Sequence, residues 1–501
     1  MAIVRSLALA AVAHLAKGAI DADEITSLPG WDGPMPSRQW SGYIKVPAVE
    51  QDKGKGNKFY HYWFVESEGN PKTDPVALWL NGGPGSSSLI GFFTENGPFA
   101  TDDRSLKENT TAVPKLFHRE TGWQKAASYI FLESPAGVGF SYCDYDNCTA
   151  SDTSTAMDNH NVLKGFFKGF PEFAKNDFYI SGESYAGVYC PTLAEQIMND
   201  ANNEINLKGL AVGNGCWGSK VGLCAFGADM DRINTQFLYG HGAISKTAYK
   251  QVVDACGDPA DGPNAWGGSP EPAAGTEKYR SSECEAARAV SSKGVGSFEI
   301  YNYYDECYGT SGITMSSSER AMLGRQLLQG AEFGAAMHVG AATDAKGALN
   351  DYTCGGGAAM SVFLAQPSVQ KALHVKAGTK GMAYGPRDRA DLRPLYKTLA
   401  QKYRLLIYSG DADGCVPFVG TEEWTSELGF EQIEAWRPWQ SGTNENMTKR
   451  DVTAGYVTTY SAGEAHNFTF LTVKGAGHMV PEFKPVAALQ MLQAFFNNER
   501  F

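Results

Sequence analysis

No stretch of the chain is long and apolar enough to cross a bilayer: the one sustained apolar run, residues 7–15, falls short of the roughly 20 residues a span requires. There is no long run of lysine and arginine either. With a formal charge of −12 over 501 residues, the chain lacks the basic footprint that phosphate backbones demand, which excludes nucleic acid as an expected partner. No Cys-x-x-Cys pair stands with a second pair or a histidine cluster, so a structural zinc site has no ligand set and no metal is expected. Internal repeats are absent. What the chain does have is 43% hydrophobic and 12% aromatic residues, enough to bury a large core rather than remain disordered.

The N-terminus places Arg5 before the apolar run, with small residues around Gly18 and Ala19. That order predicts a secretory signal peptide over residues 1–19. Ten cysteines follow, none inside the predicted signal, and they suit up to five disulfides in an oxidising compartment. Four Asn-x-Ser/Thr triplets, at Asn109, Asn147, Asn446 and Asn467, are glycosylation acceptors if the chain is secreted. The expected location is therefore the secretory pathway, ending outside the cell or in a vacuole or lysosome.

Short β-branched and aromatic runs at 42–46, 59–66, 76–80, 129–133, 178–182, 210–212, 405–408, 456–460 and 468–473 predict strands. Helix-length segments such as 158–170 and 185–200 lie between many of them, and this alternation predicts a largely parallel α/β sheet. The texture changes between residues 216 and 355. Six of the ten cysteines fall there, with a Gly/Pro/Ala stretch at 258–275 and few strand-like runs. Because strands on both sides are needed to complete one sheet, the expected organisation is a core of 20–215 and 356–501 interrupted by an inserted region, 216–355. An insertion of this kind is expected over the C-terminal edge of the sheet, where α/β active sites form.

The strongest local motif is Gly182, Glu183, Ser184, Tyr185, Ala186, Gly187, of the G-x-S-x-G type with an alanine in the last small position. It follows a strand-like run and precedes a helix-forming one. A sharp strand-to-helix turn crowds the backbone beside the serine, so small residues must flank it, and the turn lifts the hydroxyl out of the sheet. The helix N-terminus then offers free N–H groups to a developing oxyanion. A serine hydroxyl needs a base and an orienting acid, which in such folds follow in the order Ser, Asp, His. Asp411 and Asp413 both follow the 405–408 run, and His478, just after the glycines Gly475 and Gly477, follows the 468–473 run. From the residues alone either aspartate serves.

Four separated blocks carry a resemblance: WLNGGPGSSS at 79–88, ESPAGVGFSY at 133–142, GESYAGVY at 182–189, and the segments around Asp413 and His478. Over about residues 28–490 the sequence resembles the serine carboxypeptidase family. The resemblance implies an α/β-hydrolase fold, with a mixed, mostly parallel central sheet and a disulfide-containing, partly helical insertion over the active site. It implies Ser184 as nucleophile, His478 as base and Asp413, rather than Asp411, as the acid holding the imidazole. The backbone N–H groups of Gly83 and Tyr185 would form the oxyanion hole. Asn81, Gly82 and Glu183, supported by Glu95, would bind the terminal carboxylate of a substrate. The implied reaction is release of C-terminal residues from peptides and proteins through an acyl-enzyme, with no cofactor.

The clamp makes physical sense. Residues 79–85 contain no basic side chain to meet a free carboxylate. Two close carboxyls cannot both ionise cheaply, so one keeps its proton and donates a hydrogen bond, which favours acidic conditions. One departure is Ser86, which stands where the family usually has cysteine. Cys143 and Cys148 form a local pair; no further pairing is assigned. An acyltransferase or esterase on the same triad, or an idle binding protein on the same scaffold, are the competing readings.

Overall fold

The computed structural model describes residues 21–47, 56–106, 113–145, 147–225, 227–262, 266, 278–307, 346–376, 381–442, 450–463 and 467–501. The predicted signal, Asn109 and Asn446 lie outside them.

An eleven-stranded sheet forms the centre. Its ten main strands are β1 (Gln39–Pro47), β2 (Asn57–Val65), β3 (Val76–Leu80), β4 (Ser128–Leu132), β5 (Phe178–Glu183), β6 (Leu207–Gly213), β7 (Arg404–Gly410), β8 (Glu431–Gly442), β9 (Arg450–Ser461) and β10 (Asn467–Val473). They lie in the order β1-β2-β4-β3-β5-β6-β7-β10-β9-β8, and the short Tyr142–Cys143 strand pairs with β2. From β4 to β10 every pairing is parallel, and antiparallel pairs close both edges. The expected mixed, mostly parallel sheet is therefore present, and each of the nine anticipated runs falls in one of its strands to within a residue at the C-terminal end.

Alternation along each central strand divides the core into two layers. Leu78, Leu80, Phe178, Ile180, Leu405 and Ile407 face one side, together with residues of α1 (Asp152–Gly169) and α2 (Ala186–Asn199). Ala77, Trp79, Tyr179, Leu406 and Tyr408 face the other. Central strands buried on both faces read as continuous apolar runs, which is why their sequences were legible. Helix α1 begins at Asp152, six residues before the anticipated start, because Ser151 and Ser154 form a reciprocal capping box there. In α2, Pro191 cannot donate to the carbonyl of Gly187, and the Tyr396 hydroxyl donates to it instead at 2.7 Å.

Between the adjacent parallel strands β6 and β7, the chain forms helices α3 (Ala228–Gly240), α4 (Lys246–Cys256) and α5 (Ser282–Lys293). Disulfides Cys216–Cys224, Cys256–Cys284 and Cys307–Cys354 staple this stretch, and Cys143–Cys148 closes a separate short loop. Cys190 and Cys415 are free thiols, so four bridges form rather than five.

Candidate active site

Ser184 sits between β5 and α2 at φ +63°, a left-handed conformation that costs a non-glycine residue about 1–3 kcal/mol. Neighbouring backbone holds it there: its N–H donates to Gly213 O, and its carbonyl accepts from Cys216 N–H, both at 3.0 Å. The flanking glycines are explained by close approach. A Cβ on Gly182 would lie 2.4 Å from Leu80 O and 2.7 Å from the Ala186 Cβ; one on Gly187 would lie 2.2 Å from Cys216 O. Gly82 packs on the same turn, its Cβ position only 2.3 Å from Tyr185 N, and Gly83 takes φ +107°. Neither the Gly83 N–H nor the Tyr185 N–H has an acceptor among the described residues, so two free donors stand beside the serine.

The loops after β7 and β10 bring His478 and Asp413 together. His478 Nδ1 donates to Asp413 Oδ2 at 2.7 Å, with both side chains buried. Asp413 also accepts from Asn214 Nδ2 at 2.8 Å and from the N–H groups of Cys415 and Val416 at 2.7 and 3.1 Å. A proton on Nδ1, donated to Asp413, leaves Nε2 with its lone pair, as a base requires. Asp411 turns elsewhere and accepts from Gly475 N–H at 2.6 Å. Among the described residues the Ser184 hydroxyl has no hydrogen-bond partner; a nucleophile–base contact commonly tightens only around a reacting substrate.

Three further contacts tie the stretch between β6 and β7 to these loops. His478 N–H donates to Tyr301 O at 2.6 Å, Gly414 N–H to Ile300 O at 2.9 Å, and Tyr303 N–H to Ala412 O at 2.8 Å. Asn214 and Tyr301 went unnoticed in the sequence. Asn214 stands between glycines just after β6, at φ +43°, and also accepts from Gly410 N–H at 3.1 Å. An asparagine at a strand's carboxyl end between glycines was the available signal.

Asn81, Glu183 and Glu95 meet as a buried cluster. Asn81 Oδ1 accepts from Trp79 Nε1 at 2.8 Å and Gly91 N–H at 3.1 Å, which forces its amide nitrogen toward the two carboxyls. Asn81 Nδ2 donates to Glu183 Oε1 at 2.9 Å and Glu95 Oε1 at 3.2 Å. Glu95 reaches this point from a wide π-helical turn, Gly91–Asn96. A side chain at Gly91 would strike Trp79 Nε1. Burial raises the Glu183 carboxyl well above the usual range, and the adjacent charge of Glu95 raises it further. Burial raises Glu95 as well, opposed by its hydrogen bonds to Glu183 and Asn81 and by the charges of His478 and Arg119. Glu183 is thus the member that keeps a proton. Burial pushes Arg119 down to about 10.

Of the remaining anticipated residues, Asn147 and Asn467 are exposed, and Cys143 and Cys148 are bonded to each other. No helix of the described residues is long and apolar enough to cross a membrane.

A mostly parallel sheet with a serine on a strand-to-helix turn, and an Asp–His pair on later strand-end loops, defines an α/β hydrolase. The chain matches the serine carboxypeptidase family over residues 29–498 and belongs to it, as an enzyme. Serine carboxypeptidase-like 20 of Arabidopsis thaliana is 36% identical over 95% of this chain and 93% of its own. Serine carboxypeptidase 1 of Hordeum vulgare is 34% identical, over 93% and 90%. The lysosomal protective protein of Mus musculus is 34% identical, over 97% and 96%. The crystal structure of Kex1ΔP, a prohormone-processing carboxypeptidase from Saccharomyces cerevisiae, superposes with a TM-score of 0.64 at 20% identity, covering 96% of this chain and 97% of that one, and shares the fold.

Proposed function

We propose that this chain releases C-terminal residues from peptides and proteins by serine catalysis, and does so best under acidic conditions. The observation that carries this reading is the buried Asn81–Glu183–Glu95 cluster directly beside Ser184, because a general esterase has no need of a proton-sharing carboxyl pair there. Glu183, protonated, donates to the substrate's terminal carboxylate together with Asn81 and the Gly82 N–H, while Glu95 supports the pair. This seats the last peptide bond over Ser184. The Ser184 oxygen attacks the carbonyl carbon as His478 Nε2 takes the hydroxyl proton, and Asp413 stabilises the resulting imidazolium. The Gly83 and Tyr185 N–H groups hold the oxyanion. His478 returns the proton to the leaving amine, and water then hydrolyses the acyl-Ser184 ester by the same path in reverse.

In this reading residues 216–355 form an inserted cap over the site, supported by the three hydrogen bonds from 300–303 to the acid and base loops. The four disulfides and the exposed Asn147 and Asn467 support passage through the secretory pathway, and one relative is named a lysosomal protein.

The test is release of the last residue from a peptide and from its C-terminal amide, by the wild type and Ser184→Ala. Loss of both activities in the variant, with preference of the wild type for the free acid at low pH, is the expected result. Equal handling of acid and amide at every pH overturns the carboxylate reading, and an active Ser184→Ala overturns the nucleophile.

A further inference from the structure

A second serine–histidine–carboxylate arrangement lies inside the sheet, away from the catalytic pair. Ser41 of β1, His61 of β2 and Glu133, just after β4, are each almost completely buried. His61 Nε2 lies 2.8 Å from Ser41 Oγ and Nδ1 lies 2.9 Å from Glu133 Oε2. These are triad distances, yet Ser41 is not a nucleophile. Its single hydroxyl hydrogen is donated to Leu373 O at 2.6 Å, and the residue is fully buried.

The direction of that one hydrogen fixes the rest of the network. Since Ser41 donates to Leu373, its oxygen accepts from His61 Nε2–H. On the other side, Glu133 already accepts from Phe140 N–H at 2.7 Å and from the Ser87 hydroxyl. Glu133 Oε2 thus meets both His61 Nδ1 and the Phe140 N–H, and its Oε1 meets the Ser87 hydroxyl. Both ring nitrogens of His61 and both carboxyl oxygens of Glu133 are therefore engaged. Gly139, at φ +53°, exists for this approach, since a Cβ there would overlap Glu133 Oε1.

Ser87 connects this pair to catalysis. It is the N-cap of the turn Ser88–Ile90, accepting from Leu89 N–H at 3.1 Å while its hydroxyl donates to Glu133. The same short loop holds Asn81, whose N–H donates to Ser88 Oγ at 3.2 Å, and Gly82, whose carbonyl accepts from Ser86 N–H at 3.0 Å. Gly83 lies inside the turn that the Ser86–Gly82 bond closes.

We infer that His61 and Glu133 are positioning residues for the oxyanion site: the buried, hydrogen-bonded pair holds Ser87, and through it the loop that aims the Gly83 N–H. This rests on reading Gly83 as an oxyanion donor. His61 and Phe140 fix the Glu133 carboxyl from one side in a buried setting, so its Oε1 is held where the Ser87 hydroxyl meets it. An oxyanion donor acts on the transition state more than on bound substrate, so a misaimed Gly83 shows in turnover rather than in substrate affinity.

The experiment compares Ser87→Ala, Ser87→Thr and His61→Gln with the wild type, measuring kcat and KM for peptide release, the rate of Ser184 labelling by a fluorophosphonate, and Tm. Ser87→Ala removes one partly exposed hydroxyl and leaves the buried network in place. It is expected to lower kcat and the labelling rate together by about tenfold, less than the 10²–10³-fold loss of an oxyanion donor itself, with KM within about twofold. Ser87→Thr, which keeps the hydroxyl, restores both. His61→Gln shows the same kinetic pattern if it folds, and Ser87→Ala carries the test if it does not. Wild-type kcat and labelling in Ser87→Ala, a defect confined to KM or Tm, or failure of Ser87→Thr to restore turnover each overturn the inference. Ser184→Ala separates the two layers: if it is inactive while Ser87→Ala is unimpaired, only the positioning role is lost, whereas an active Ser184→Ala removes the site reading itself.

Discussion

His478 Nδ1 donates to Asp413 Oδ2 at 2.7 Å, while Asp411, two residues earlier in the same loop, accepts from the backbone of Gly475 and does not touch the imidazole. The two carboxylates share a local sequence and differ in what they hold. Asp413→Asn is expected to lower kcat by about 10³–10⁴-fold through loss of the correct tautomer and of imidazolium stabilisation. Asp411→Asn, which weakens a bond between loops, should cost far less, about tenfold or under. Steady-state kinetics on both variants check the order; equal losses would remove Asp413 from its role.

If Glu183 binds the substrate's terminal carboxylate as proposed, it couples binding to pH. Its carboxyl must be protonated to donate to a substrate carboxylate, so KM for a peptide acid should rise as pH climbs through its raised pKa, while KM for the corresponding amide, which has no carboxylate to meet, should not. Glu183→Gln keeps a donor without the titration and should flatten the KM profile for the acid. Stability carries the same sign. A carboxyl whose folded pKa is raised stabilises the fold fully below the ordinary carboxylate range, and that contribution is lost as pH rises toward the folded pKa. Denaturant titrations from acid to neutral pH should therefore fall less steeply for Glu183→Gln than for the wild type.

Asn214 supports the acid from behind, donating to Asp413 and accepting from Gly410 N–H in a fully buried position. Asn214→Ala leaves both partners short of a contact, at a cost of about 1–3 kcal/mol. It should reduce kcat with little change in KM. Denaturation and kinetics on one preparation test both halves, and an unchanged kcat would confine Asn214 to a structural role.

Arg232 of α3 is fully buried and makes a bidentate pair with Glu423 at 2.6 and 2.8 Å, plus a bond to Asp229 at 2.7 Å. It fastens the stretch between β6 and β7 to the helix Phe418–Ser426, on the core side of the molecule. Arg232→Met should cost about 3 kcal/mol, because it strands carboxylates rather than merely deleting a contact. The double variant with Glu423→Gln should recover part of the loss. Urea midpoints provide the measurement, and additive losses would show that the pair is not coupled.

Asn147 and Asn467 are exposed acceptors. Expressed through a secretory route, the protein should shift in mass on enzymatic removal of N-glycans, and Asn147→Gln and Asn467→Gln should each remove one step. No shift in either variant would argue against modification at these positions.

Features governed by neighbours along the chain were legible from the amino-acid sequence. Residues 76–80 form β3 with the anticipated limits, because an apolar run buried on both faces advertises itself. The 182–187 turn was readable too, since close approach to Leu80 O and Cys216 O leaves room only for glycine at two positions. Strand β8 was not: Glu431, Gln432 and Glu434 give no apolar alternation, and the strand is held on one side by backbone pairing to β9 while most of its side chains face solvent. Its existence depends on a partner rather than on a pattern.

Distance along the chain is what tertiary structure resolved. Asn81 and Glu183 are 102 residues apart and share a hydrogen bond because β3 and β5 are neighbours in the sheet. The choice between Asp411 and Asp413 as the partner of His478 turned on the path of two loops 65 residues apart. The His61–Glu133 pair needed β2 and β4 side by side, and the pairing of Cys307 with Cys354 spans 47 residues. Periodicity and turn chemistry act within a few residues and so are written locally. Hydrogen bonds between distant side chains, and the raised pKa of Glu183, exist only once burial and strand order have brought those groups together and removed the water between them.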